Sequence, residues 1–204
     1  MAKAAPRTPL LTTYPPYTHL CGTDEAGRGP LCGAVVAAAV VLPPDYYHPH
    51  LNDSKKMSEA RRLDVFDHIQ EHALSFAIAE ESPATIDRIN ILQASLRAMD
   101  QAVRQLSVTP ELVLVDGNQF YRSYHLPVQT VIKGDSKYAC IAAASVLAKV
   151  HRDRLLVAMD QEFPEYDWKN NKGYGSPKHL AAIAKFGLTP HHRVSFSKKF
   201  VTTP

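Results

Sequence analysis

Apolar residues along this chain change their period several times, and each change marks a predicted element. Residues 19–23 and 33–42 are short apolar or β-branched runs separated by Gly27, Gly29 and Pro30, which predicts two strands joined by a glycine-shaped loop that opens with Asp24 and Glu25. From Ser58, a plausible N-cap, Leu63, Phe66 and Ile69 fall at helical spacing; Leu74, Phe76 and Ile78 then alternate as in a strand. Ser82 and Pro83 open a helix whose apolar face runs Ile89, Leu92, Leu96, Met99, Val103 and Leu106. Residues 112–115 and 128–132 are continuous apolar strands that deliver Asp116-Gly117-Asn118 and Lys133-Gly134-Asp135 at their C-terminal ends. An alanine-rich helix is expected over 138–159, and a last one from Ser176-Pro177 to just before Gly187. This order predicts an α/β fold, a central mixed sheet flanked by helices.

Length and composition narrow the organisation. A chain of 204 residues, 45% of them hydrophobic, suits one compact domain over 17–204 with a small C-terminal region. Residues 1–16, with four prolines and no periodicity, read as a flexible tail outside it. A formal charge of +3 is far from a histone-like excess, so attraction to phosphate has to come from local patches. Cys21, Cys32 and Cys140 form no Cys-x-x-Cys pair, which argues against a disulfide framework or zinc ribbon and suits a reducing cytoplasm. The longest apolar run, 34–42, is too short to span a bilayer, so no membrane association is expected.

The candidate chemistry lies in four acids. Asp24, Glu25, Asp116 and Asp135 all stand beside strand ends. Several carboxylates gathered in one place repel one another unless cations bind, and phosphodiester hydrolysis by two hard cations about 3.5–4 Å apart needs such a group. Taken singly, Asp116 is ordinary turn chemistry and Asp135 ordinary capping. Two adjacent acids at a strand end gain little from turn geometry, so the joint pattern carries the weight. Gly27 and Gly29 permit close backbone approach to a ligand, and Arg28 offers a planar fork for phosphate, although a plain hairpin loop has the same composition. Lysine loops at 53–56, including Lys55, and at 169–175, including Tyr174, suit a phosphate track with a sugar platform, or simply solvated surface. His191 and His192, behind Pro190, are expected in an exposed turn and are left out of the site.

Five blocks together resemble the ribonuclease HII family: Asp24-Glu25-Ala26-Gly27-Arg28-Gly29-Pro30-Leu31, Asp53-Ser54-Lys55, Ile89-Asn90-Ile91-Leu92-Gln93-Ala94, Leu114-Val115-Asp116-Gly117-Asn118 and Ala142-Ala143-Ala144-Ser145-Val146-Leu147-Ala148-Lys149-Val150. The resemblance runs in order over 18–196. It implies a ribonuclease H-like fold and hydrolysis of the RNA strand in RNA–DNA hybrids. It also implies cutting 5′ to single ribonucleotides in duplex DNA, with 3′-hydroxyl and 5′-phosphate products. Carried over by position, it makes Asp24, Glu25, Asp116 and Asp135 the carboxylates that bind two Mg²⁺ or Mn²⁺ ions. It makes Gly27, Arg28 and Gly29 the loop that reads the ribose 2′-hydroxyl, and Tyr174 the ring that packs on the next deoxyribose. A monomer is expected. Two other readings stay open on residues alone: a DNA repair nuclease of the same fold, which would lack 2′-hydroxyl selectivity, and a non-catalytic nucleic-acid-binding module.

Overall fold

The computed structural model describes residues 9–120 and 126–201. Strands β1 (Leu20–Ala26), β2 (Val35–Val41), β3 (Ser75–Glu81), β4 (Leu112–Asp116) and β5 (Val128–Val131) form one sheet in the order β3-β2-β1-β4-β5. The first three pair antiparallel, whereas β4 pairs parallel to β1 and to β5, so the sheet is mixed as expected.

Burial on both faces explains why β2 reads as an unbroken apolar run. Its Val36, Ala38 and Val40 face the long helix α4 (Ala139–Glu162) in one core, and its Ala37, Ala39 and Val41 face α3 (Ile91–Arg104) in the other. The alternation is the period-two consequence of the pleat. Helix α1 (Glu59–His72) packs on α4 through Val65, Phe66 and Ile69, with Ser58 accepting from the Arg61 N–H as its cap. Small residues bring α4 very close to β1: a Cβ built on Gly22 would lie 2.2 Å from the carbonyl carbon of Cys140. Only glycine fits there, and the contact fixes the height of α4 above the strand that carries Asp24.

A third cluster, Cys32, Leu156, Tyr166, Trp168, Ala182 and Ile183, fastens α5 (Trp168–Asn171) and α6 (Pro177–Phe186) to the far end of α4. Inside it the indole N–H of Trp168 donates to His179 Nε2 at 3.0 Å, and His192 Nε2 lies 3.1 Å from the same atom.

Four expectations need correction. The helix expected from Ser82 to Leu106 is two, α2 (Pro83–Ile89) and α3, broken at Asn90, whose φ of 67° no regular helix accommodates. The Asn90 side chain accepts from the Gln93 N–H and so caps the second helix, in a backbone conformation that otherwise favours glycine. The apolar spacing continues across the break, which is why periodicity missed it. Residues 1–8 of the expected tail lie outside the described residues, but the rest is docked: Leu11 donates to the Lys137 carbonyl at 2.8 Å and accepts from the Ala139 N–H at 2.8 Å. His192 is not in an exposed turn. It is 2% exposed, its Nδ1 accepting from the Thr189 N–H at 2.9 Å. The stretch 169–175, expected as a loop, is helical through Asn171.

Candidate active site

The mixed sheet brings the acids together by register. Parallel pairing sets Thr23 beside Val115, so the next residues along, Asp24 on β1 and Asp116 on β4, emerge at the same sheet end. Asp135 arrives from the next strand over: β5 ends at Val131, and a 3-10 turn over Gly134–Ser136 follows. Asp116 Oδ1 accepts from the Gly134 N–H at 2.7 Å, which ties the β4 and β5 ends to each other. Glu25, next along β1, points to the opposite side of the pleat from Asp24 but shares the same end.

The electrostatics confirm the crowding. Asp24 is 6% exposed, and burial first, then Glu25 and Asp116, push its carboxyl well above the usual carboxylate range. The Ser145 hydroxyl from α4 and the Glu25 N–H, which donates at 2.7 Å, oppose that push by favouring the anion. Glu25 is raised chiefly by burial, against the pull of Arg28, whose Nη1 lies 3.5 Å away. Asp135 is raised by burial and by two neighbours, Asp53 and Asp116, with Lys55 and Lys56 lowering it. Like charges this close are costly without a counter-ion, and their oxygen donors suit hard divalent cations, so the residues present fit such ions. Asp53 is an acid that sequence reasoning placed only in a basic loop. Its side chain caps the 3-10 turn over Ser54–Lys56, accepting from the Lys55 N–H at 2.9 Å.

Beside the acids lies a cleft of about 410 Å³ whose lining includes Glu25, Gly27, Arg28, Gly29, Lys55 and Tyr174. Every substrate-binding candidate therefore faces one space. Tyr174 is 54% exposed and stands against Gly29, where an added Cβ would sit 3.4 Å from its ring.

Two buried arginines, neither singled out from sequence, build this cleft. Arg193 donates to the carbonyls of Gly27 at 2.6 Å, Arg28 at 3.1 Å, Pro30 at 2.9 Å and Gly33 at 3.0 Å. Arg152 donates to the carbonyls of Cys32, Ala34 and Lys172 at 3.0, 3.2 and 3.1 Å. Carbonyl dipoles accept these bonds, each contributing about 1.5–3 kcal/mol, and Asp87 and Asp153 favour the charges of Arg193 and Arg152 respectively against burial. Burial still pulls Arg193 down to about 10. Gly27 has φ of 98°, and a Cβ there would come 2.1 Å from Arg152 Nε, so glycine is required on both counts. In a trans peptide the C=O of one residue and the N–H of the next point in opposite directions. With the Gly27 and Arg28 carbonyls drawn onto Arg193, the N–H groups of Arg28 and Gly29 point away from it. Neither arginine has a local signal, because its partners lie up to 166 residues away.

Comparison with known proteins shows the family. The sequence profile described as Ribonuclease HII matches residues 21–199. The chain belongs to the ribonuclease HII family. It is 52% identical over 176 residues to the ribonuclease HII of Bacteroides thetaiotaomicron, covering 86% of this chain and 88% of that protein. It is 49% identical over the same length to that of Porphyromonas gingivalis, with the same coverage. In fold it is similar to the ribonuclease H2 of Pyrococcus horikoshii, with a TM-score of 0.75 at 24% identity over 89% of this chain and 96% of that one. A ribonuclease HIII solved in complex with Mn²⁺ matches with a TM-score of 0.68 at 17% identity, over 89% of this chain and 68% of that one. As a ribonuclease HII, the protein is a divalent-metal-dependent endoribonuclease of ribonuclease H type II, a hydrolase that acts on nucleic acid.

Proposed function

We propose that this ribonuclease HII cuts duplex DNA on the 5′ side of an embedded ribonucleotide, and the RNA strand of hybrids, with Asp24, Glu25, Asp116 and Asp135 holding two Mg²⁺ or Mn²⁺ ions. The observation that carries the reading is the meeting, in one cleft, of Glu25 with the arginine-clamped Gly27–Gly29 loop and Tyr174. When bound, the ions supply an activated water and neutralise charge developing at the scissile phosphate.

The chain's own residues do the rest. The outward N–H groups of Arg28 and Gly29 are fixed donors for a 2′-hydroxyl oxygen, the group that distinguishes ribose from deoxyribose. Tyr174 offers an exposed ring to the neighbouring sugar. Arg28 and Lys55 hold backbone phosphate, and their positive charge also steadies the ionised acids. Ser145 keeps the Asp24 carboxylate oriented. Three buried free cysteines suit a reducing cytoplasm, and no helix among the described residues is long and apolar enough to cross a membrane.

A labelled DNA duplex with one ribonucleotide, run beside its all-DNA counterpart with Mg²⁺, Mn²⁺ or EDTA, tests the proposal. The expected result is a metal-dependent cut at the ribonucleotide alone, on its 5′ side. Equal cutting of both duplexes would overturn it.

A further inference from the structure

The connection between β2 and α1 makes a histidine-rich corner that the reading above does not use. His48 and His50 lie on that connection, and Asp64, His68 and His72 on α1. His48 Nε2 lies 3.4 Å and His50 Nδ1 3.2 Å from one and the same oxygen, Asp64 Oδ2. The donor atoms of the three residues all fall within 4.8 Å of one another. Zinc–nitrogen and zinc–oxygen bonds of about 2.0–2.2 Å place tetrahedral donors roughly 3.3–3.5 Å apart, so these atoms already stand near ligand spacing.

We propose that His48, His50 and Asp64 form a second metal site, distinct from the acids at the sheet end, that takes a borderline ion of the Zn²⁺ class and pins the 45–52 connection to α1. Two imidazoles and one carboxylate prefer Zn²⁺, Co²⁺ or Ni²⁺ to Mg²⁺, whereas the all-carboxylate cluster has the opposite preference. The two sites therefore sort ions by chemistry.

The surroundings support the assignment. The His68 ring lies 4.7 Å from that of His48 and stacks on His72 at 4.0 Å, and its Nδ1 meets the Tyr46 hydroxyl at 3.0 Å. His50 and Asp64 are 42% and 57% exposed at the side chain, so an ion enters from solvent. One bond is exchanged on binding. The His50 N–H donates to His48 Nδ1 at 3.2 Å, so the neutral ring carries its proton on Nε2; ligation there moves the proton to Nδ1 and gives up that long bond. Three protein donors leave the fourth position to water. The connection runs straight into Asp53 and Lys55, so pinning it also restrains the turn that faces Asp135.

The test uses tag-free protein in excess Mg²⁺, with Zn²⁺ binding followed by equilibrium dialysis and Co²⁺ by its visible absorption. One Zn²⁺ per chain is expected in the wild type and equally in Asp24→Asn, with the intense bands of tetrahedral Co²⁺. His50→Ala and Asp64→Ala, both at solvent-exposed positions, should weaken Zn²⁺ binding at least about tenfold and abolish those bands. Zn²⁺ should slow amide exchange over 45–56 in the wild type and not in these variants. Zn²⁺ binding that is lost in Asp24→Asn, unchanged in His50→Ala and Asp64→Ala, or absent from the wild type would overturn the proposal. None of these readouts depends on nuclease activity.

Discussion

Asp24 is held at a cost that a bound cation relieves. In the metal-free fold its carboxyl is protonated at pH values where the unfolded chain, with its ordinary value of 3.8, has already released the proton. The folded state then binds more protons than the unfolded one, so stability falls as pH rises through that window, and below it the penalty vanishes. Asp24→Asn removes the titration, so the metal-free variant should melt higher than wild type at neutral pH and lose this part of the pH dependence, as calorimetry in EDTA would read. The same variant should lose cleavage by several orders of magnitude while duplex binding, followed by anisotropy, largely survives. Glu25 beside Asp24 was legible in the sequence because paired acids at a strand end have no turn or cap role to explain them. Asp53 was not, since it stands in a run of lysines and its approach to Asp135 depends on the folded path of the connection.

At the level of elements, the glycine loop takes its shape from a residue near the other end of the chain. Arg193→Lys keeps the charge but cannot donate in a fork to four carbonyls. It should cost about 2–4 kcal/mol of stability and should reduce discrimination between ribonucleotide and all-DNA duplexes more than it reduces cutting of a long RNA–DNA hybrid. Equal loss on both substrates would mean that the clamp only stabilises the fold. The junction of α2 and α3 gives a second prediction: Asn90→Ala loses both the cap and tolerance of φ 67°, and should destabilise by about 1–3 kcal/mol, whereas Asn90→Gly should recover roughly half by chemical denaturation. Strands, caps and the long helix were legible because hydrophobic period and Ser-Pro starts are local. The Asn90 break and the arginine clamp were hidden because a continuing apolar face masks the first and contacts across the whole chain make the second.

Across the whole molecule, two opposing pH effects meet. The acids at the sheet end favour low pH, while the C-terminal cluster favours high pH. Burial, with His179 next, draws His192 down to about 4 from 6.5, so the unfolded chain takes up a proton that the fold refuses. Stability contributed there is complete above 6.5 and is lost as pH falls towards 4, by an amount of order 1–3 kcal/mol and thus several degrees in Tm. His192→Gln should flatten the acid limb of a melting-temperature profile and leave the neutral limb unchanged. The mixed sheet and its flanking helices could be read from element order, but the docking of the C-terminal cluster could not, because His179, His192 and Trp168 meet only in three dimensions. The close seat of α4 on β1 has a mechanical corollary. At Gly22 a single hydrogen sets the gap between helix and strand, and two residues further along the same strand Asp24 meets Ser145 from the same helix. Gly22 is in effect the shim of the instrument: add a methyl group there, and the misalignment appears not where the atom was placed but at the carboxylate downstream.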